Sequence, residues 1–377
     1  MNIAVIGTGM VGQQIAFELA KRHNIYAFDF NIDNLGKLNE KNSAIITKKV
    51  DINKVNLTDE LNSADLAINC LPGFMGFKTC KKIIKEKMCI DISFMPEDCQ
   101  DLDSIAREAN TALYPDAGIA PGLSNMIIGN IVSKNNIDEI KIMVGGLPIK
   151  KNPPWNYKAP FSPIDVIEEY TRSARIKKEG KIKSVKALTG LINFEFEGIG
   201  KLEAFLTDGL RTLLNAELTR DIPTLLEYTI RYPGHSEMIS KLIEEGKLDD
   251  NLKFYNGKMT TQREMTTNKL FKEWKLMEDD KEFTLLIITA KTKEGEKISC
   301  VVYDEWREGW SSMSRTTGLT ACAITNLIID KKISKTGVIT PETLGTNNDY
   351  FEYVVNYLKE RHINIHFSNL KNFSTKE

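Results

Sequence analysis

The hydrophobic and polar positions of the first 120 residues alternate between short apolar runs and amphipathic stretches. Residues 3–6 and 66–68 are continuous apolar runs, which is typical of strands buried on both faces. Val11, Ile15 and Leu19 recur at helical spacing between them. Further apolar runs predict strands at 25–28, 89–92 and 112–114. This alternation predicts a parallel sheet with crossover helices.

The pattern changes after about residue 140, where longer runs alternate between apolar and polar side chains. The polar turn 293–296 joins two such runs and predicts a hairpin. Residues 349–366 predict one more helix and a short strand. The alternating runs are 140–144, 191–197, 283–288 and 298–303. They favour a mixed or antiparallel sheet in a second domain, so the chain is predicted to be an α/β protein with two sheets.

The amino-acid composition limits the kinds of binding partner that can be expected for this chain. The 377 residues carry 50 Lys and Arg against 51 Asp and Glu, a net charge of −1. This balance gives no electrostatic reason to expect nucleic acid or a membrane surface as a partner. No apolar run approaches the roughly 20 residues that span a bilayer, and the first residues lack a basic segment, so a cytoplasmic protein is expected. The six cysteines show no metal-ligand spacing, so no metal is expected.

The strongest local pattern is a glycine-rich turn between the first strand and the first helix. Its sequence G-x-G-x-x-G comprises Gly7, Thr8, Gly9, Met10, Val11 and Gly12. In a dinucleotide-binding fold the first glycine permits the tight turn and the second lets the backbone approach a pyrophosphate. The third lets the helix pack closely on the strand. We therefore predict that the pyrophosphate of a dinucleotide lies at the N-terminus of this helix.

Asp29 ends the second predicted strand, 17 residues beyond Gly12. A carboxylate at about this offset binds the adenosine ribose hydroxyls and repels a 2′-phosphate. No arginine follows it, so NAD is expected rather than NADP. The alternative is a glycine turn without a ligand, with Asp29 as a helix cap. Further candidate cofactor-binding residues follow the later strands and are Asn69, Leu71, Pro72, Asp91, Gly118 and Pro121.

Six further segments resemble the saccharopine dehydrogenase-like reductases, and the similarity covers nearly the whole chain. The segments occur in the family's order at 94–98, 116–125, 145–148, 207–213, 231–235 and 315–318. The resemblance implies a Rossmann domain over 1–122 and a substrate and dimerisation domain over 123–313. It also implies that segment 314–377 returns to the first domain, and that the protein forms a homodimer or a dimer-based oligomer.

Asp116 and His235 are the candidate catalytic residues. The resemblance implies that Asp116 lies beside the nicotinamide, where a carboxylate could take a proton from an amine before hydride leaves. The alternative is that Asp116 only holds the glycine loop through backbone N–H groups. His235 could relay a proton, since a histidine in a polar turn titrates near neutral pH. The alternative for His235 is a surface or capping residue.

Arg211 is the leading candidate for binding a substrate carboxylate, because a guanidinium binds a carboxylate through two hydrogen bonds. If this segment opens a helix, Asp208 would share its face, so an Arg211–Asp208 surface pair is the alternative. Tyr157 is a candidate for the wall of the substrate cleft. The other candidate substrate-binding residues are Ser93, Thr212, Arg231 and Arg315.

The resemblance implies NAD-dependent oxidative deamination of an amino-acid side-chain amine. L-Lysine, oxidised at its ε-carbon to 2-aminoadipate semialdehyde with release of ammonia, is the expected substrate. The alternative within the class is a saccharopine or carboxynorspermidine dehydrogenase acting on a secondary amine of an amino-acid or polyamine-like substrate. Such a pocket would need further cations, and Arg172 and Arg175 near a predicted helix are available. A more distant alternative is an NAD-binding sensor without turnover.

Overall fold

The computed structural model describes residues 1–159, 163–255, 257–277, 280–368 and 375–376. Its strands are β1 (Asn2–Ile6), β2 (Asn24–Asp29), β3 (Ile46–Lys49), β4 (Leu66–Asn69), β5 (Met88–Asp91), β6 (Ala112–Tyr114), β7 (Ile137–Pro148), β8 (Ala174–Lys178), β9 (Lys181–Val185), β10 (Ile192–Phe196), β11 (Gly200–Leu206), β12 (Thr224–Arg231), β13 (Leu252–Tyr255), β14 (Lys258–Thr261), β15 (Glu282–Thr292), β16 (Lys297–Glu305), β17 (Gly337–Val338), β18 (Asn364–Ser368) and β19 (Thr375–Lys376).

The helices are α1 (Met10–Leu19), α2 (Ile32–Lys41), α3 (Leu57–Glu60), α4 (Gly73–Ile83), α5 (Asp103–Glu108), α6 (Leu123–Val132), α7 (Pro163–Thr171), α8 (His235–Glu244), α9 (Gln262–Trp274), α10 (Ser312–Asp330), α11 (Pro341–Gly345) and α12 (Asn348–Glu360). Among the described residues, none of these helices has the length and apolar character needed to cross a bilayer.

The first sheet is parallel, with the strand order β17-β6-β5-β4-β1-β2-β3. The five apolar runs of the N-terminal pattern form β1, β2, β4, β5 and β6, which confirms the predicted parallel sheet. Strand β4 is buried along its whole length, as its apolar sequence requires. The sequence did not predict β3, which is largely polar, or β17, which has only two residues.

The contacts divide the chain into two units. The first unit comprises Met1–Asn135, Arg211–Thr219 and Met313–Ile363. The second comprises the described residues of Asn136–Leu210, Arg220–Ser312 and Asn364–Glu377. The boundaries predicted from sequence lie at 122/123 and 313/314. The short segment Arg211–Thr219 belongs to the first unit although its neighbours in the chain belong to the second.

The C-terminal helices pack on the first helix of the first unit, which confirms the predicted return for these helices. The prediction that the whole segment 314–377 returns is wrong for strand β18, which pairs with β16 of the second unit. The Sγ of Cys322 lies 3.8 Å from the carbonyl oxygen of Ile15. The guanidinium of Arg361 donates from Nε to Glu18 at 2.7 Å. Helix α10 begins at Ser312, six residues before Gly318, so the family-like segment 315–318 lies within this helix.

The second unit contains a mixed sheet. Strand β7 pairs in parallel with β12 and antiparallel with β15. Strands β15 and β16 form the predicted hairpin around residues 293–296. The predicted C-terminal helix and short strand are α12 and β18. The core of the second unit combines aliphatic and aromatic side chains, and Tyr157, Tyr170, Phe205 and Trp274 are among the largest fully buried side chains.

Candidate active site

The glycine turn connects β1 to α1 as predicted. Gly7 has φ +92°, a conformation that L side chains rarely adopt. A Cβ on Gly12 would collide with the carbonyl oxygen of Gly7, so the close approach of helix and strand requires glycine. A Cβ on Gly9 would meet nothing within 4 Å. The turn therefore leaves space beside Gly9, where a dinucleotide pyrophosphate is predicted to bind.

The N-terminus of α1 fits an anionic group. In the part of the chain that the structure describes, no side chain caps this helix at Gly9, and its first turn carries no acidic residue. The first N–H groups and the positive end of the helix dipole thus face an open space, which is the usual environment for a pyrophosphate. Met10 is exposed, Val11 is half-buried, and the buried Thr8 turns its hydroxyl to a carboxylate.

That carboxylate belongs to Asp29 at the end of β2. Its Oδ2 accepts from the backbone N–H and the hydroxyl of Thr8, at 2.6 and 2.9 Å. Its Oδ1 accepts from the backbone N–H of Asn31 at 2.8 Å. Helix α2 is capped by Asn31, so Asp29 is not the cap that the alternative interpretation required. Asp29 instead lies next to the glycine turn, and its binding of the adenosine ribose stays a prediction.

A second group of polar side chains lies where β4 and β5 end. Asp91 is fully buried and its Oδ1 accepts from Nδ2 of Asn69 at 2.6 Å. The Ser93 hydroxyl lies 2.9 and 3.0 Å from the two Asp91 oxygens. Burial raises the pKa of Asp91 to about 7, although the hydrogen bonds from Ser93, Cys80 and Asn69 oppose the shift. Ser93 is a predicted substrate-binding residue, and its hydroxyl here has an internal partner.

Two further candidates frame the entry to α4. Leu71 places its Cδ2 3.2 Å from where a Cβ of Gly7 would lie. Pro72 precedes the first residue of α4 and occupies the N-cap position. Both therefore border the carboxyl edge of the sheet. In open α/β sheets ligands bind at this edge.

Asp116 follows β6 and forms a buried ion pair with Arg211. Arg211 Nε donates to Asp116 Oδ1 at 3.3 Å, and the two side chains are 3 % and 0 % exposed. Asp116 Oδ2 is buried and has no hydrogen-bond partner among the described residues. Burial raises the pKa of Asp116, and the positive charge of Arg211 opposes the shift. The carboxylate thus makes no backbone hydrogen bond that would fasten the glycine loop.

Arg211 is held in place by other groups of the first unit. Its Nη1 donates to the carbonyl of Met95, and its guanidinium lies 5.3 Å from the centre of the Phe94 ring. Arg211 opens a short 3-10 helix with φ +52°, and Asp116 has φ +53°. Residues held in this sparsely populated region are often found at active sites. The alternative Arg211–Asp208 pair is wrong, because Asp208 binds Arg175 at 2.9 Å.

The residue after Arg211 joins another buried polar group. Asn125 Nδ2 lies 3.2 Å from the Thr212 hydroxyl and 3.2 Å from Oε2 of Glu342. Burial raises the pKa of Glu342, whose Oε1 has no partner among the described residues. Gly118 lies beside this group in a tight turn, where its carbonyl accepts from Leu123 N–H at 2.8 Å. Pro121 belongs to the same turn.

In the second unit Arg231 is the centre of a buried cluster. Its Nε donates to the Tyr170 hydroxyl at 2.9 Å and its Nη2 to Glu169 at 3.1 Å. Its guanidinium lies 4.4 Å from the centre of the Tyr157 ring. Burial raises the pKa of Glu169 to about 7, against the effect of Arg231. Tyr157 is fully buried in this cluster, with its hydroxyl unpartnered among the described residues.

His235 is also part of this cluster. It follows strand β12, not a helix, and is the first residue of α8. It is buried, with Nε2 3.0 Å from the Tyr170 hydroxyl and Nδ1 3.1 Å from the Trp155 carbonyl. Burial and the charge of Arg231 lower the pKa of His235 to about 3. The expectation that it titrates near neutral pH is therefore wrong, as is the surface interpretation.

The remaining arginines are also engaged. Arg315 is buried on α10 and donates from Nη2 to the carbonyl of Arg361 at 2.7 Å. Arg175 lies on β8 and not in a helix, and Arg172 directly follows α7. The residues predicted from the sequence do not include Tyr170, Glu169 or Glu342. Glu342 could have been found from its position directly after Thr340-Pro341, at the start of a helix. No comparable sequence signal exists for Tyr170.

The parallel sheet, its glycine turn and the carboxylate after β2 define the class of proteins with a Rossmann-type dinucleotide-binding unit. Residues 3–114 match the saccharopine dehydrogenase NADP binding domain, and residues 118–363 match the saccharopine dehydrogenase C-terminal domain. The chain belongs to the saccharopine dehydrogenase family. These matches indicate a nicotinamide dinucleotide as the cofactor, and the description of the first names NADP.

Curated relatives are distant. The chain is 25 % identical over 273 residues to the mitochondrial alpha-aminoadipic semialdehyde synthase of Rattus norvegicus, which covers 66 % of this chain and 28 % of the relative. It is 22 % identical over 270 residues to the saccharopine dehydrogenase [NADP(+), L-glutamate-forming] of Saccharomyces cerevisiae, covering 66 % and 59 %. The matched regions thus span about a quarter to three fifths of these two relatives.

A solved structure of similar fold is the apo saccharopine dehydrogenase (L-Glu forming) of Saccharomyces cerevisiae. It superposes with a TM-score of 0.78 at 15 % identity and covers 97 % of this chain and 99 % of that chain. This likeness confirms the fold class predicted from sequence.

Proposed function

We propose that this protein is a nicotinamide-dinucleotide-dependent oxidoreductase that oxidises L-lysine at its ε-carbon and releases ammonia. The observation that carries the proposal is the Asp116 carboxyl, which is buried after β6 with one oxygen unpartnered among the described residues. A carboxyl of this kind is suited to accept a proton inside a water-poor site. Membership of the saccharopine dehydrogenase family supports chemistry at an amino-acid C–N bond.

Asp116 acts first in the proposed reaction. Hydride can leave a carbon only when the adjacent nitrogen has a free lone pair, so the ε-ammonium must lose a proton. Asp116 Oδ2 accepts that proton, while Arg211 holds Oδ1 and keeps the carboxylate in one orientation. When bound, the oxidised nicotinamide accepts the hydride from the ε-carbon. Water then adds to the resulting imine, and the aldehyde and ammonia form.

Thr8, Asp29 and the α1 N-terminus are proposed to hold the dinucleotide. NAD is proposed as the preferred cofactor because the Asp29 carboxylate is fixed beside the turn and would repel a 2′-phosphate. The description of the matched domain and the names of the fungal relatives both specify NADP. The preference for NAD therefore requires its own measurement.

Arg211, Arg231 and Arg315 stay the proposed anchors for the substrate carboxylate. Each of these arginines already binds a group within its own unit. To bind a substrate carboxylate, it must therefore add the carboxylate to its present partners or exchange one of them for it. Tyr157, Ser93 and Thr212 stay predicted contacts of the substrate. A homodimer is a proposal that rests on the sequence resemblance, and a cytoplasmic location is one that rests on the apolar pattern of the sequence.

Saccharopine is the alternative substrate, and the names of the yeast and fungal relatives favour it. Oxidising its secondary amine and hydrolysing the imine would yield an amino acid in place of ammonia.

The test is a screen for reduced-cofactor fluorescence with L-lysine, saccharopine, ornithine and carboxynorspermidine, each with NAD and with NADP. Ammonia and glutamate are measured in parallel. The proposal predicts the highest kcat/KM for lysine with NAD, with one ammonia per reduced cofactor. Glutamate formation from saccharopine at a higher kcat/KM would establish the alternative. Cofactor binding without reduction by any of the four compounds would indicate a sensor.

A further inference from the structure

The carboxyl of Asp91 lies close to the site but has no part in the proposed proton transfer. Its side chain is fully buried where β5 ends. Its hydrogen-bond donors are the Asn69 amide, the Cys80 thiol and the Ser93 hydroxyl, at 2.6, 3.2 and 2.9 Å from Oδ1. All three donors are neutral. The Ser93 hydroxyl also lies 3.0 Å from Oδ2.

Asp116 differs from Asp91 because its Oδ1 lies 3.3 Å from Nε of the positively charged Arg211. The two carboxyls are neighbours, since the N–H of Ala117 donates to the Asp91 carbonyl at 2.8 Å and the charge of Asp116 adds to the raised pKa of Asp91. Of these two buried carboxyls, Asp116 has an arginine as its ion-pair partner, whereas the hydrogen-bond donors of Asp91 among the described residues are neutral. Groups placed in such unequal environments divide their roles, one staying charged and the other holding a proton.

The ionisable groups that act on Asp91 all belong to the first unit. They are Asp116 after β6, Arg211 on the short 3-10 helix, Cys70 after β4 and Cys80 on α4. Burial raises the pKa values of Cys70 and Cys80 well above the ordinary range, so these thiols stay neutral near pH 7. Burial raises the pKa of Asp91 to about 7, so its charge can change near neutral pH.

We propose that Asp91 is a positioning residue whose ionisation tracks the redox state of the cofactor, so that it loses a proton when the oxidised form binds and keeps it with the reduced form. This inference rests on the proposed dinucleotide site. The oxidised nicotinamide ring carries a positive charge and the reduced ring does not. A positive charge held near the carboxyl edge of the sheet favours the Asp91 carboxylate, and this stabilisation disappears when the ring is reduced.

The direction of the pH dependence follows from this difference. Binding of the oxidised cofactor lowers the pKa of Asp91 from about 7, so it releases a proton, and its affinity rises as the pH increases through this value. A lowering by about one pKa unit would tighten oxidised-cofactor binding about fivefold between pH 6 and pH 8. Binding of the reduced cofactor should change far less over the same range.

The experiment measures the Kd of both NAD and NADH between pH 5.5 and pH 8.5, which are values chosen to bracket a pKa of about 7. Calorimetry at pH 7 in two buffers of different ionisation enthalpy counts the protons released. The expected result is a fall in the ratio of Kd for NAD to Kd for NADH with rising pH. Proton release is expected with NAD and not with NADH.

Three variants test which residue causes the pH dependence and the proton release. Asp91→Asn keeps a similar shape and should abolish both the pH dependence and the proton release. Asp116→Asn removes the rival carboxyl and should retain both, with the midpoint lowered. Ser93→Ala removes a hydrogen bond that favours the charged form of Asp91, so the midpoint should rise. Ser93→Ala and Asp116→Asn keep the test decisive if Asp91→Asn fails to fold.

Loss of the effect in Asp116→Asn but not in Asp91→Asn would overturn the assignment to Asp91. Equal pH dependence for NAD and NADH would overturn the redox coupling while leaving the dinucleotide site intact. Failure of the wild-type protein to bind either cofactor at any pH would overturn the proposed function itself. These outcomes separate the inference from the proposal on which it rests.

Discussion

The two units of the molecule each bury a polar cluster, and the clusters differ in how completely their groups are satisfied. In the first unit, Asp116 pairs with Arg211 through Oδ1, and Asp116 Oδ2 has no partner among the described residues. In the second unit, both ring nitrogens of His235 have partners, and Arg231 is held by Tyr170 and Glu169. The unpartnered oxygen of a buried carboxyl can accept a proton, whereas the partnered side chains of His235 and Arg231 fix the shape of their cluster, in which the Tyr157 hydroxyl lacks a partner among the described residues.

The largest effect on the first cluster is expected from a substitution of Arg211. Replacing Arg211 with Gln should leave Asp116 as an uncompensated buried charge and cost about 3–5 kcal/mol of unfolding free energy. Because Arg211 lowers the pKa of Asp116, its loss should also move the acid limb of the kcat profile to higher pH. Denaturant unfolding and a pH series measure both effects. Arg107 is exposed and pairs with Asp103 at 2.6 Å, so the control variant Arg107→Gln should leave the unfolding free energy and the pH profile unchanged.

The cofactor preference is the next test of the first unit. Asp29→Ser combined with Phe30→Arg removes the carboxylate and supplies an exposed cation, since Phe30 is 72 % exposed. One charge-assisted hydrogen bond of about 1.5–3 kcal/mol would shift the NADP to NAD ratio of kcat/KM by roughly 10- to 150-fold. Equal binding of NAD and NADP by the unmodified protein would refute the ribose assignment.

The second unit should respond to substitution in stability and not in pH dependence. His235→Ala removes one partner of the Tyr170 hydroxyl, which keeps its hydrogen bond from Arg231, and one partner of the Trp155 carbonyl, at a cost of about 1–3 kcal/mol. Because the pKa of His235 is about 3, the midpoints of the kcat profile should stay in place. A changed midpoint would restore the proton-relay role. His366→Ala, at an exposed histidine of β18, is the matched control.

A smaller effect is expected at Glu227, a buried carboxyl of β12 that accepts from the Thr207 hydroxyl at 2.6 Å. Burial raises its pKa to about 8. A group with a raised folded-state pKa stabilises the protein at low pH, and this contribution is lost as the pH rises through that value. Glu227→Gln should therefore raise Tm by a few degrees at pH 8.5 relative to wild type and change it little at pH 5.

Glu195→Gln, at an exposed carboxylate of β10, should show no such pH-dependent difference in Tm. A Glu227→Gln variant that is less stable than wild type at both pH values would mean that the carboxylate form is the stabilising one.

The sequence predicted the parts of the fold that local patterns determine. The strands of the first sheet, the glycine turn and the β15–β16 hairpin each depend on residues within a short window. The partners of the buried charges depend on the tertiary fold instead. Asp116 and Arg211 are 95 positions apart, and Tyr170 and His235 are 65 apart. For this reason the sequence predicted Asp208 as the alternative partner of Arg211 and a titrating His235.

The central claim is that Asp116 accepts the proton, and one single-turnover measurement tests it most directly. Wild type and Asp116→Asn are saturated with NAD, whose Kd is measured for both, and reduced-cofactor formation is followed after mixing with lysine. The account predicts a rate about 10²–10⁴-fold lower in Asp116→Asn with a nearly unchanged Kd for NAD. An unchanged rate, or the loss of NAD binding, would contradict it.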